Sequence, residues 1–80
     1  MRIPRDVDGD SLAKALRLYD YSITRRVGNH LRMTTQMNGV HHVTVPRHDP
    51  LKVSTLAGIV QDVAAHLGKT RGLVVMEIFY

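Results

Sequence analysis

Cysteine is absent from this 80-residue sequence. A disulfide framework, a thiolate zinc site and a cysteine nucleophile are all excluded, and a reducing cytoplasm is the expected setting. No stretch approaches the roughly 18 apolar residues of a membrane span. The opening MRIPRDVDGD has no apolar run of the signal-peptide kind. No glycine-rich phosphate loop occurs, and Ser11, Ser22 and Ser54 have no nucleophile context around them. Internal repeats and low-complexity segments are also missing. The most informative absence is of negative charge: four of the seven acidic residues precede Tyr21, and none lies between Tyr21 and His48.

That acid-free stretch, YSITRRVGNHLRMTTQMNGVHHVTVPRH, is where chemistry-bearing side chains gather. It carries four histidines (His30, His41, His42, His48) and four arginines (Arg25, Arg26, Arg32, Arg47). The whole chain has a formal charge of +4 and a pI of about 10.0. Ordinary solubility accounts for such a total, but a stretch with one sign of charge attracts polyanions and raises their encounter rate. RNA is the first candidate. The length allows one domain, near the lower limit for a self-sufficient core.

Taken in order, Arg2 to Arg5 read as a loosely held lead-in with Pro4 setting an extended backbone. Asp8 suits a helix N-cap, Asp10 suits the first turn, and Val7 and Leu12 have hydrophobic-staple spacing. Leu12, Ala15, Leu16 and Tyr19 mark one face of a helix from about Gly9 to Tyr19, leaving Lys14 and Arg17 on a solvated face. Strand one, about Tyr21 to Val27, sets Tyr21, Ile23, Arg25 and Val27 against Ser22, Thr24 and Arg26; Arg25 breaks the pattern and is expected at the sheet's end, its head reaching water. Strand two, about His30 to Gln36, turns Leu31, Met33 and Thr35 one way and His30, Arg32 and Thr34 the other. After the Asn38-Gly39 turn, strand three, about Val40 to Val45, turns His41, Val43 and Val45 inward and His42 and Thr44 outward, and Pro46 ends it. Helix two, about Ser54 to Leu67, has the clearest stripe (Leu56, Ile59, Val60, Val63, Ala64, Leu67), with Gly68 as C-cap. Residues Thr70 to Tyr80 are ambiguous between a β-branched strand and a short helix capped by Thr70.

The order α-β-β-β-α predicts an α+β fold: a three-stranded antiparallel sheet, an apolar face on each strand, and both helices packed on one side. The other face carries His30, Arg32, Thr34, His42 and Thr44. His30 opens a strand after Gly28-Asn29, where the backbone can approach a ligand closely. A lone histidine is often only a structural or surface residue, but this one lies among arginines on the polar face. Imidazole, with a reference pKa near ~6.5, exchanges protons at neutral pH, and guanidinium makes bidentate contacts to phosphate. Cleavage of RNA by its own 2′-hydroxyl needs little beyond a base, an acid and cations for the phosphorane, and no metal. Adjacent strand residues face opposite ways, so His41 and His42 cannot easily share an ion. No suitably spaced carboxylate joins them, and no metal site or cofactor is expected. His42 and His48 are the better placed as secondary RNA contacts or a helper acid.

Taken together, PRDVDGDSLAKALRLYDY, RRVGNH and HHVTVPRHDPLKVSTLAGIVQDV resemble the HicA family of small toxins, the mRNA interferases of toxin-antitoxin pairs. The match covers about Pro4 to Leu67, and its most specific parts are the glycine-x-histidine step and the VTVPRH…LKV-x-TL segment. The resemblance implies a double-stranded-RNA-binding-like fold and ribosome-independent mRNA cleavage, with the histidine of a Gly-Ser-His step as the catalytic residue. Here that step is Gly28-Asn29-His30, so the role carries to His30, with Asn29 where the family usually has serine. It also implies a HicB-like antitoxin whose acidic or blocking surface covers the histidine; a homodimer or a toxin-antitoxin hetero-oligomer is the expected assembly. Residues Gly68 to Tyr80 extend past the usual minimal toxin, incline to helix on this resemblance, and are assigned to dimerisation or antitoxin docking. The expected RNA contacts are Gly28, Asn29, Arg25, Arg26, Arg32, His42, Arg47, His48 and Lys52. The rivals are a non-catalytic RNA- or DNA-binding module on the same fold, and a pure partner of another chain, which an exposed apolar face on Leu73 to Tyr80 would favour.

Overall fold

The computed structural model describes residues 3–80, so Arg2 of the expected lead-in lies outside the described residues. Helix α1 (Gly9–Ala15) begins with Asp8 at the N-cap position, but the Asp8 side chain caps no backbone N–H. The Gly9 N–H instead donates to the His48 carbonyl at 2.9 Å. A Cβ at residue 9 would collide with the Pro46 carbonyl and lie 2.9 Å from the Arg47 Cα, so only glycine lets the helix start against the end of the sheet. The helix does not continue in α geometry to Tyr19. Leu16–Tyr19 tightens into a 3-10 turn that closes on Asp20 in the left-handed region, φ 63°. This quick reversal lets Tyr19 and Tyr21, two residues apart, both enter the core.

Strands β1 (Ser22–Val27), β2 (His30–Thr35) and β3 (His41–Pro46) form one antiparallel sheet in the order β1-β2-β3. Gly28, at φ 56°, makes the two-residue β1-β2 loop, and Asn38 and Gly39 both take positive φ between β2 and β3. In β2 and β3 the expected alternation holds: Leu31, Met33, Thr35, Val43 and Val45 are buried, while His30, Arg32, His42 and Thr44 are exposed. In β1 it does not. Ile23 pairs with Met33 but Arg25 pairs with Arg32, so Thr24 is an extra residue in a β-bulge. The bulge resets the phase. Arg25 and Val27, opposite Arg32 and His30, turn to the open face, while Arg26, opposite Leu31, turns to the helix side. Arg25 thus sits in mid-strand and not at the sheet's end, and no residue of β1 is buried.

Helices α1, α2 (Val53–Leu67) and α3 (Arg71–Phe79) supply most of the rest of the core, with Leu16, Tyr19, Tyr21 and Leu51 added from the turns between elements. The α2 stripe buries Leu56, Ile59, Val60, Val63 and Ala64 as its spacing predicts, and Gly68 closes the helix in the left-handed region. The ambiguous C-terminal stretch is a helix: the Thr70 hydroxyl accepts the Leu73 N–H at 3.1 Å, a side-chain cap that a strand would not use. Val74 and Val75 are fully buried, so the core runs past residue 67. At about 1.5–3 kcal/mol for each large apolar side chain removed from water, two valines matter in so small a domain. The Tyr19 hydroxyl donates to Glu77 at 2.7 Å and the Lys69 ammonium donates to the same oxygen at 3.0 Å, pinning α3 to the turn after α1. The class is α+β, with a three-stranded antiparallel sheet covered by helices on one face and open on the other.

Candidate functional site

The open face of the sheet carries Arg25 and Val27 from β1, His30, Arg32 and Thr34 from β2, and His42 and Thr44 from β3. The bulge adds the first two to the set that alternation alone assigns. Arg25, Val27, His30, Arg32 and Thr44 line a shallow depression of ≈ 300 Å³. His30 stands there exposed, at the first residue of β2, between Val27 and Pro46 in the register. Two guanidinium groups therefore share one depression with one imidazole, and no carboxylate lines it. Such a place can hold a phosphate by charge and present a proton acceptor or donor to it.

Further along the same face, hydrogen bonds run from the His42 Nδ1 to the Thr34 hydroxyl at 2.7 Å, from Thr34 to the Thr24 hydroxyl at 2.9 Å, and from Thr24 to the Arg32 carbonyl at 3.3 Å. His42 pairs with Thr34, four residues along β2 from His30. At about 3.3 Å per strand residue that separates the two imidazoles by roughly 13 Å. They cannot act on the same phosphodiester. His42 is placed to contact a different part of a long ligand.

The remaining expected contacts are dispersed. Arg26 lies on the helix side of the sheet. Arg47 is held by Asp10 in a two-point ion pair, Nε to Oδ1 at 3.0 Å and Nη2 to Oδ2 at 3.2 Å, and this hydrogen bonding raises the guanidinium pKa further above its ordinary value. The carboxylate that suited the α1 dipole is thus a partner for Arg47 across the fold. Gly28 and Asn29 form the loop that presents His30, and the Asn29 carbonyl accepts the Arg47 N–H at 2.6 Å. His48 is exposed in the loop after β3, and Lys52 is exposed at the N-cap position of α2. Of the four arginines singled out in the sequence, Arg25 and Arg32 join His30, while Arg26 and Arg47 do not.

His41, on the covered side, belongs to a cluster that the linear sequence hides. Its Nε2 faces an Asp62 carboxylate oxygen at 3.1 Å and its Nδ1 faces the Tyr21 hydroxyl at 2.7 Å. In the neutral ring, Nε2–H then donates to Asp62 and Nδ1 accepts from Tyr21. The His66 ring stacks on His41 at 4.3 Å, and its Nε2–H reaches the Met37 and Gly39 carbonyls at 2.9 and 3.0 Å. Burial pushes the Tyr21 phenol up to about 12, with the Asp62 charge adding to it. The buried phenol is out of reach of a substrate, so the cluster fastens the β2-β3 turn to α2. The i, i+4 spacing of Asp62 and His66 on one helix face was the only signal for it.

Among the described residues, no group of three or more His, Asp or Glu side chains is arranged to hold a metal ion. No helix among them is long and apolar enough to cross a membrane. Compared with protein-family models, with curated proteins and with solved structures, the chain matches none.

Proposed function

We propose that this protein is a cytoplasmic RNA endonuclease of the HicA-like toxin type, built on a double-stranded-RNA-binding-like fold and acting on mRNA to inhibit translation. The observation that carries the proposal is His30, exposed in one depression with Arg25 and Arg32 that no carboxylate lines. In the reaction, a base removes the 2′-hydroxyl proton and the 2′ oxygen attacks the neighbouring phosphorus. The P–O5′ bond breaks, leaving a 2′,3′-cyclic phosphate, and the departing 5′ oxygen takes up a proton. Arg25 and Arg32 stabilise the extra charge of the phosphorane, and His30 serves the proton transfer at one end of the reaction. Guanidinium groups supply the positive charge, so the chemistry does not call for a metal. Gly28 and Asn29 hold the loop that presents His30, with Asn29 in the place of the family's serine. His42, His48 and Lys52 contribute secondary contact or long-range attraction, while Arg47 is taken up by Asp10, and a HicB-like antitoxin covers the histidine.

Replacing His30 with alanine should leave the circular-dichroism spectrum unchanged and slow cleavage of single-stranded RNA in chelator by about 100-fold or more. Growth inhibition should vanish at equal expression. An H30A variant as toxic as the parent would remove the catalytic assignment. A second reading is favoured by the roughly 13 Å between His30 and His42, which leaves the depression with one proton-transfer group. On that reading the face binds RNA without cutting it, and labelled RNA would show salt-sensitive binding and no fragments.

A further inference from the structure

A second concave site lies on the opposite side of the sheet, between α1 and the overhanging edge strand β1. It encloses ≈ 530 Å³. Its floor is aliphatic: Ala13, Leu31, Met33 and the partly exposed Ile23. Its rim is cationic, with Lys14 and Arg17 one turn apart and Arg26 facing them from β1. Arg47 also reaches this rim, but Asp10 already neutralises it. None of the ion pairs among the described residues engages Lys14, Arg17 or Arg26. The same bulge that sends Arg25 to the open face sends Arg26 here. Beside the groove, β1 is paired only on its β2 side, leaving its outer backbone edge without a ladder.

We propose that this groove binds an extended acidic-aliphatic segment of a partner protein, added to β1 as a fourth strand. Strand addition satisfies the edge N–H and carbonyl groups and sends every second side chain to the groove side. An aliphatic side chain then covers Ile23, the floor residue that is substantially exposed, and carboxylates meet Lys14, Arg17 and Arg26. The floor favours a peptide over RNA: it has no aromatic ring on which a base could stack, and phosphates gain nothing from an aliphatic surface. The groove and the His30 depression lie on opposite faces, so an occupied groove leaves His30 uncovered. The proposal stands whether or not the open face cleaves RNA.

The test uses the full chain, isotope-labelled, titrated with a short peptide alternating glutamate with valine. The expected result is shifts at the amides of Ser22, Ile23 and Arg26 and at the Ile23 and Met33 methyls, with slowed hydrogen exchange along β1. Arg17→Glu with Arg26→Glu, both exposed positions, should weaken binding by about tenfold or more while a Lys52→Glu control does not. A peptide alternating lysine with valine should not bind. Shifts confined to Arg25, His30 and Arg32, or no saturable shift at all, would overturn the proposal. So would a single-stranded RNA oligomer that moves the groove resonances more strongly than the acidic peptide.

Discussion

On the proposed function, the face on which each arginine lies can be read from the salt dependence of RNA binding. For single-stranded nucleic acid, each phosphate neutralised contributes about −0.7 to the slope of log affinity against log salt. Arg25 and Arg32 flank His30 on the open face, so together they account for about −1.4. That corresponds to roughly a sevenfold loss of affinity between about 50 and 200 mM salt. Arg25→Gln or Arg32→Gln should each reduce the slope by about 0.7, leaving a loss of roughly 2.6-fold over the same range. Arg26→Gln, on the helix side, and Arg47→Gln, whose charge is already matched by Asp10, should leave the slope as it was. Fluorescence anisotropy of a labelled oligomer at several salt concentrations, with all variants at one pH, cancels any contribution from the histidines. If Arg26→Gln or Arg47→Gln lowers the slope while Arg25→Gln and Arg32→Gln do not, the open face is not the binding face.

Other outcomes follow from the same contacts. Tyr21 titrates at about 12 in the folded protein against 10.0 unfolded, so its contribution is intact below pH 10 and is lost as pH rises towards 12. That loss is at most of order 3 kcal/mol, and Tyr21→Phe should flatten the alkaline limb of a urea-stability profile, with the raised Tyr19 accounting for what remains. Glu77 is held below the ordinary carboxylate range by its hydrogen bond from Tyr19 and then by Lys69. Its contribution is present above pH 4.5 and fades as pH falls through the folded value, so Glu77→Gln should weaken the acid dependence. A profile unchanged by either variant would remove these attributions. Gly9→Ala forces a methyl group into the backbone of Pro46 and Arg47 and should cost about 2 kcal/mol or more in denaturant unfolding. A neutral effect would mean that α1 and β3 can separate at no cost.

Much of this architecture is legible along the chain, because it rests on contacts between near neighbours. The α2 stripe, the Gly28 and Asn38-Gly39 turns, the alternation of β2 and β3 and the exposure of His30 are statements about period and turn chemistry over a few residues. The C-terminal helix was not decided by its β-branched composition, since Val74 and Val75 suit a strand equally well. The Thr70 cap and the packing of both valines into the core settled it. The irregularity of β1 showed at Arg25, but the expectation that Arg25 sits at the sheet's end failed: the extra residue is Thr24, and a bulge is set by how one strand must fit its partner, which no local pattern records. One inserted residue then sorted neighbouring arginines onto opposite faces, Arg25 to the histidine and Arg26 to the groove.

The same division holds for the polar side chains. Composition and order alone are enough to show a basic, acid-free ribbon with His30 at the start of a strand. Which charges remain available is a matter of distance in space. Arg47 meets Asp10 across 37 positions and His41 meets Asp62 across 21, pairings that depend on how α1 and α2 dock on the sheet. Local backbone preferences act over a few residues and are written in the chain. Charge pairing and surface geometry arise only when distant segments are brought within a few ångströms, and there the tertiary fold decides.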